Sequence, residues 1–177
     1  PNGIDDDFLT TDFHPKPTSN SKERLIVLYA GNIGAGQGLH HIIPALARHT
    51  SATHEFWIIG DGGNHTQLVA ATQKLDNVKI MQPVQRHALL DLYRCSDILF
   101  LHLNNYPAFH KVLPSKIFEY AATTKPILAG VSGYAAHFIQ EEIDGVAIFP
   151  PCDAQSGTAQ LQSLEEKHIP RTNFITT

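Results

Sequence analysis

Lys116 and Glu119 lie three residues apart in the stretch His110-Lys-Val-Leu-Pro-Ser-Lys-Ile-Phe-Glu-Tyr120. On a helix that spacing puts a cation and a carboxylate on one face. Pro114 precedes them where a first helical turn would start, a position that tolerates proline because that N–H has no intrahelical partner. Ser115 beside it offers a hydroxyl and an N–H. A helix start presents unpaired N–H groups and a positive dipole end, which suit a phosphate. A glutamate one turn deeper could take two sugar hydroxyls, so the stretch reads as a site for a nucleoside diphosphate sugar. Taken alone, the pair is better read as a surface ion pair of little energetic weight. The surroundings tip the balance toward a ligand.

The first of those surroundings is Gly31-Asn-Ile-Gly-Ala-Gly-Gln-Gly38, which follows the apolar run Leu25–Ala30 and precedes Leu39, Ile42, Ile43 and Leu46 at helical spacing. Glycines there permit positive φ and close approach of backbone to a ligand; a tight strand-to-helix turn without a ligand is the plainer reading. A dinucleotide fingerprint would need G-x-G-x-x-G. Counted from Gly34 the spacing is G-x-G-x-G, and the third position falls on Leu39. Asp61 ends the next strand about where a ribose-binding acid would sit, so NAD is disfavoured without being excluded. Within Gly60-Asp-Gly-Gly63, Asp61 either contacts a hydroxyl or caps the following helix. Arg86 either reaches a base or phosphate or is a solvated residue at a helix start. Cations and glycines at several strand ends thus converge on one crevice.

Other chemistries find no frame. His102, His110 and His137 make no metal pair at helical spacing, and adjacent His40 and His41 face different directions on a helix. No metal is expected. Neither G-x-S-x-G nor a Walker A sequence occurs. No residue stands out as a general acid or base, so the catalytic groups are unassigned.

The elements that must position these residues alternate. Strands are expected at Leu25–Ala30, Glu55–Ile59, Val78–Met81, Asp97–Leu103, Ile127–Gly130 and Val146–Phe149. Helices fall between them: one from His65 to Leu75 with Leu68, Val69, Thr72 and Leu75 inward, one carrying Leu89, Leu90 and Tyr93, one from near Pro114, and one from Tyr134 to Glu142. A last helix runs from about Asp153 to Leu164. Alternation of this kind means parallel pairing with right-handed crossovers. The fold class is α/β, a Rossmann-like doubly wound parallel sheet of about six strands with its site at the strand carboxyl ends.

Of 177 residues, 42% are hydrophobic and 17% charged, enough for one buried core. The polar segment 1–24 reads as linker leading into the domain, 25–165 as the ligand-binding domain, and 166–177 as a tail or the start of a terminal helix. A net charge of −4 argues against a nucleic-acid surface. The eleven histidines are read as mostly superficial, and Cys95 and Cys152 as reduced thiols of a cytoplasmic protein. No run reaches the ~18 apolar residues of a membrane span. The chain opens at Pro1-Asn-Gly-Ile-Asp without an initiator methionine, and is read as part of a longer protein.

Five motifs follow one another in the order found in one enzyme family. They are Pro1-Asn-Gly-Ile-Asp-x-x-Phe8, Tyr29-Ala-Gly-Asn-Ile-Gly-x-x-Gln-Gly-Leu39, Ile59-Gly-Asp-Gly62, Leu113-Pro-Ser-Lys-Ile-Phe-Glu-Tyr120 and Lys125-Pro-Ile127. The chain resembles the carboxyl-terminal, donor-binding half of a GT-B glycosyltransferase of the retaining, group 1 type, and within it the WbuB-like transferases of bacterial surface polysaccharide assembly. The resemblance implies the second half of a GT-B fold, a UDP- or GDP-sugar donor (UDP with an N-acetylated hexose by subfamily), transfer without cofactor or metal, and a partner amino-terminal acceptor domain in the same protein. It also implies a lipid-linked acceptor and hence a peripheral place at the inner membrane face. By the same resemblance Gly31, Asn32, Gly34, Gln37 and Gly38 lie against the diphosphate and sugar, N–H groups of Val112, Leu113 and Ser115 meet the distal phosphate, Glu119 binds ribose, and residues from Gln82 to Arg86 line the base.

Two departures matter. Asn32 and Gln37 stand where the family commonly has Arg and Lys, so Lys116 is expected to supply the missing charge. The family's paired glutamates would place the first at Lys111, which puts donor-sugar recognition at that position in question. Since the acceptor site of the family lies mainly on the other domain, this chain is expected to bind donor without turning it over. A sugar-nucleotide 2-epimerase half and a non-catalytic nucleotide-binding module are the alternatives.

Overall fold

The computed structural model describes residues 11–13 and 24–166. Six strands form one parallel sheet: β1 (Leu25–Ala30), β2 (His54–Ile59), β3 (Val78–Met81), β4 (Ile98–His102), β5 (Ile127–Gly130) and β6 (Val146–Phe149). Between and after them run α1 (Leu39–His49), α2 (His65–Thr72), α3 (Arg86–Cys95), α4 (Lys116–Ala122), α5 (Gly133–Glu142) and α6 (Ala154–Glu166). A 3-10 turn, Pro107–Lys111, sits between β4 and α4. The strand order is β3-β2-β1-β4-β5-β6. Winding therefore reverses between β1 and β4, and ligands of such sheets bind at that switch point beyond the strand carboxyl ends.

Burial on both faces explains the unbroken apolar strands. Successive residues point to opposite faces, so Leu28 and Ala30 of β1 join Tyr93, Ile117, Tyr120 and Ile139 beneath α3, α4 and α5. Val27 and Tyr29 join Ile42, Leu46, Leu68 and Leu161 beneath α1, α2 and α6. Phe100 of β4 and Phe149 of β6 stack within the second layer, with centroids 6.3 Å apart.

Several details differ from the sequence reading. Phe13, placed in the linker, is 4% exposed and packs into the first layer, where Arg94 Nε donates to the carbonyl of its neighbour Asp12. Residues 1–10 and 14–23 of the linker and the tail from Lys167 lie outside the described residues. Val69, expected inward, is 41% exposed, because α2 ends at Thr72 and buries only Leu68 and Thr72. His54 and His102 are fully buried rather than superficial. The helix expected near Pro114 begins at Lys116; Pro114 and Ser115 supply the carbonyls that accept the first helical N–H groups, those of Ile117 and Phe118. Both cysteines are free thiols.

Candidate functional site

A cleft of about 340 Å3 opens at the switch point. Ala30, Gly31 and Asn32 at the end of β1, Ile59, Gly60 and Asp61 at the end of β2, and Pro83 and Val84 after β3 line it, together with Leu89 of α3 and Lys116 at the start of α4. Lys116 is the one cation of that lining and Asp61 the one anion.

The first two loops pack backbone on backbone. Gly31 N–H donates to the Ile59 carbonyl at 2.9 Å, Ile33 N–H to Asp61 at 2.8 Å, and Asn64 N–H returns to Ile33 at 2.9 Å. A Cβ on Gly60 would come within 1.8 Å of the Gly31 carbonyl oxygen. Gly60 is thus required by the neighbouring loop, whatever the cleft holds. Asp61 does not cap α2: its Oδ1 accepts the N–H of the adjoining Gly62 at 2.8 Å, and the α2 N-cap, Asn64, makes no side-chain capping bond.

Asn32 and Gln37 bind each other. Asn32 Nδ2 donates to Gln37 Oε1 at 3.1 Å, and Gly34 N–H reaches the same oxygen at 3.3 Å. Amides thus close the loop on itself where a pair of cations would have kept two charged arms apart. Gly38, with φ of +60°, is the last residue before α1, and the Asn104 side chain fills the space a Cβ there would occupy.

On the other flank, Lys116 Nζ lies 2.8 Å from Glu119 Oε2, and both side chains are about a third exposed. They share a face, as the spacing predicts, and meet each other across one turn. Beneath them Tyr120 is fully buried; its hydroxyl accepts the N–H of Ala30, the last residue of β1, at 3.3 Å, and burial pushes its phenol well above the ordinary range. Tyr93 stands edge-on to Tyr120 at 5.9 Å. Burial raises its phenol too, helped by the Glu119 charge and opposed by Arg86. Arg86 is the exposed first residue of α3 and is not part of the cleft wall.

The 3-10 turn carries the remaining candidates. Val112 N–H, expected from sequence to meet a phosphate, donates to the Phe109 carbonyl at 3.1 Å. Leu113 and Ser115 follow the turn, Lys111 is exposed at its end, and none of these lines the cleft. The turn itself is clamped: Phe109 abuts Gly36 of the glycine loop, and the His110 carbonyl lies where a Cβ on Gly133 would clash. The sequence does not single out Leu89, which reads as any other helix-core position, and it names Gly60 only as part of a turn motif.

Among the described residues no three His, Cys, Asp or Glu side chains converge to hold a metal, and no helix is long and apolar enough to cross a membrane.

Residues 10–177 match the family model described as glycosyl transferases group 1. A protein of Escherichia coli described as a colanic acid biosynthesis glycosyl transferase, WcaI, is 35% identical over 94 residues, covering 52% of this chain and 23% of that protein. Among solved structures, the lipopolysaccharide outer core galactosyltransferase WaaB superposes with a TM-score of 0.65 at 16% identity, over 88% of this chain and 43% of WaaB. The catalytic domain of cholesterol-alpha-glucosyltransferase from Helicobacter pylori gives 0.61 at 14% identity, over 81% of this chain and 87% of that domain. TarM of S. aureus, solved in complex with Fondaparinux, alpha-GlcNAc-glycerol and UDP, gives 0.62 at 14% identity, over 89% of this chain and 31% of TarM. The chain thus spans under half the length of WcaI and of WaaB.

Proposed function

The chain belongs to the group 1 glycosyl transferases, and from that premise we propose that it is the donor-binding domain of a retaining enzyme that moves a hexose from a UDP-sugar to a surface-polysaccharide acceptor. The observation that carries the reading is the cleft at the switch point, walled by glycine-loop backbone on one side and by the cationic Lys116 on the other. Such a crevice suits a diphosphate between peptide dipoles and an ammonium. Pro83, Val84 and Leu89 form an apolar wall that suits the flat face of a base. The UDP bound in TarM and the polysaccharide context of WcaI and WaaB support the same choice of donor and acceptor class.

In this reading the leaving diphosphate is stabilised by loop N–H groups and by Lys116, without a metal, while Glu119 holds the ribose. The acceptor hydroxyl attacks from the face the donor leaves, brought by an amino-terminal domain of the same protein at the inner membrane face. This chain alone binds donor and does not turn it over. Thermal shift with UDP, GDP, UDP-N-acetylhexoses and NAD tests the donor class: UDP and its sugars are expected to raise the melting temperature in proportion to the logarithm of their concentration, unchanged by EDTA. Stabilisation by NAD alone would sink the reading, and sugar transfer catalysed by this chain would refute the division of labour between domains.

A further inference from the structure

The end of β4 reaches under the glycine loop. His102 is fully buried, its ring stacked with those of Phe100 and Phe149 at centroid distances of 6.1 and 6.0 Å. Its Nδ1 lies 2.6 Å from the Gln37 carbonyl oxygen, and its Nε2 accepts the N–H of Cys152 at 2.9 Å. A carbonyl demands a donor and an N–H demands a lone pair, so these partners define a neutral ring protonated at Nδ1. Two residues on, the Asn104 N–H donates to the Gly36 carbonyl at 2.8 Å, and its side-chain amide to that of Ala35 at 2.9 Å. Three successive loop carbonyls are drawn onto one strand end.

A trans peptide directs its C=O and N–H oppositely. Turning the carbonyls of Ala35, Gly36 and Gln37 inward therefore turns the N–H groups of Gly36, Gln37 and Gly38 away from β4. The last two share the Gly34 carbonyl at 3.2 Å each, the long end of hydrogen-bond range. The far side of the brace is built as deliberately. Cys152 holds a left-handed φ of 63°, unusual outside glycine, and its thiol donates to Asn104 Oδ1 at 3.3 Å. Residue 130 is glycine where a Cβ would come within 2.3 Å of the His102 ring. A ring nitrogen between two phenylalanines costs stability unless bonded, so mere filling of that space would favour an apolar side chain.

We propose that His102 is a positioning residue of the donor site: together with Asn104 it fixes the glycine loop with the Gly36 N–H turned away from β4 and those of Gln37 and Gly38 on long bonds to Gly34 that the anionic diphosphate exchanges for its own oxygens. This rests on the donor-binding reading above.

Two variants separate positioning from packing. His102→Asn keeps an N–H donor near the place of Nδ1, and His102→Leu keeps bulk without it. With each variant folded, UDP affinity by calorimetry should fall about tenfold in His102→Leu, the worth of one hydrogen bond, and recover to within about threefold in His102→Asn. Amide exchange at Gly36–Leu39 should quicken and recover in parallel. Wild-type affinity in His102→Leu, or no recovery in His102→Asn, would overturn the role. If the wild-type chain binds no UDP, the donor reading falls, and loop exchange alone decides the brace: unchanged exchange in His102→Leu overturns it. The nitrogen-15 spectrum needs no variant, and a ring at neutral pH that is charged or protonated at Nε2 overturns the tautomer on which everything depends.

Discussion

On the β1–β2 flank of the cleft the wall is main chain: Gly31, Gly60 and the peptides between them, tied to each other by hydrogen bonds between loops. On the β4 flank it is side chain: Lys116 at the start of a seven-residue helix, held by Glu119. Backbone walls cannot be altered one group at a time, and what substitution does to them is felt first in folding. Side-chain walls can be altered without disturbing the fold, and what substitution does to them should be felt in binding. The two flanks therefore divide shape from cationic charge, with the Asp61 carboxylate the one charged group on the backbone side.

The sharpest way to break that contrast is Gly60→Ala. Its Cβ would meet a carbonyl oxygen at 1.8 Å, backbone against backbone. A loss of roughly 3 kcal/mol or more is expected, or failure to fold; urea denaturation with a near-normal midpoint would show that the loops are not locked together.

Next in size is a pH effect on the brace beneath the backbone flank. Burial, opposed by the Gln37 hydrogen bond and helped by the nearby His41, lowers the His102 pKa from 6.5 to about 4. The unfolded chain then takes up a proton first as pH falls below 6.5, so the folded state loses stability down to about pH 4 and no further. The loss attributable to His102 is on the order of 3 kcal/mol. Denaturation midpoints of the wild type and of His102→Asn should converge as pH drops through that window; parallel curves would mean that the ring carries no such linkage.

The charged flank should respond in binding. Lys116→Ala is expected to weaken UDP binding by about 1.5–3 kcal/mol, a charge-assisted contact, with little change in melting temperature. Unchanged affinity in calorimetry would move the neutralising charge elsewhere. Smallest of all is the stability effect of Glu119→Gln, below about 1 kcal/mol for a partly exposed pair. A larger fall in melting temperature would give this flank a structural role like its neighbour's.

The fold was legible because the inner strands of a doubly covered sheet are apolar runs, as at Leu25–Ala30 and Ile127–Gly130, and because glycine and proline punctuate the joins. The helix face shared by Lys116 and Glu119 was legible for the same local reason. What escaped depends on contacts distant in sequence. Phe13 looks like linker until Arg94, 82 residues from Asp12, brings α3 against it. Nothing near Gly60 reveals that its missing side chain makes room for Gly31. His102 reads as a polar end to the run Ile98–His102; its meaning lies in Gln37, 65 residues earlier, and Cys152, 50 residues later. That Val112 N–H turns back onto Phe109 depends on a short turn, Pro107–Lys111, that no periodicity announces.

Lys125 offers a consequence of another kind. Only 5% exposed, its ammonium donates to the carbonyls of Arg94 and Ser96, at the end of the helix that carries Leu89 to the cleft. An amine sealed against main chain in this way is shielded from acylating and amidinating reagents for as long as the junction stays shut. Its labelling rate, read by mass spectrometry beside the exposed Lys111, would make it a chemical clock for breathing of the α3–β5 junction, and so a reporter of how often the floor of the cleft comes apart.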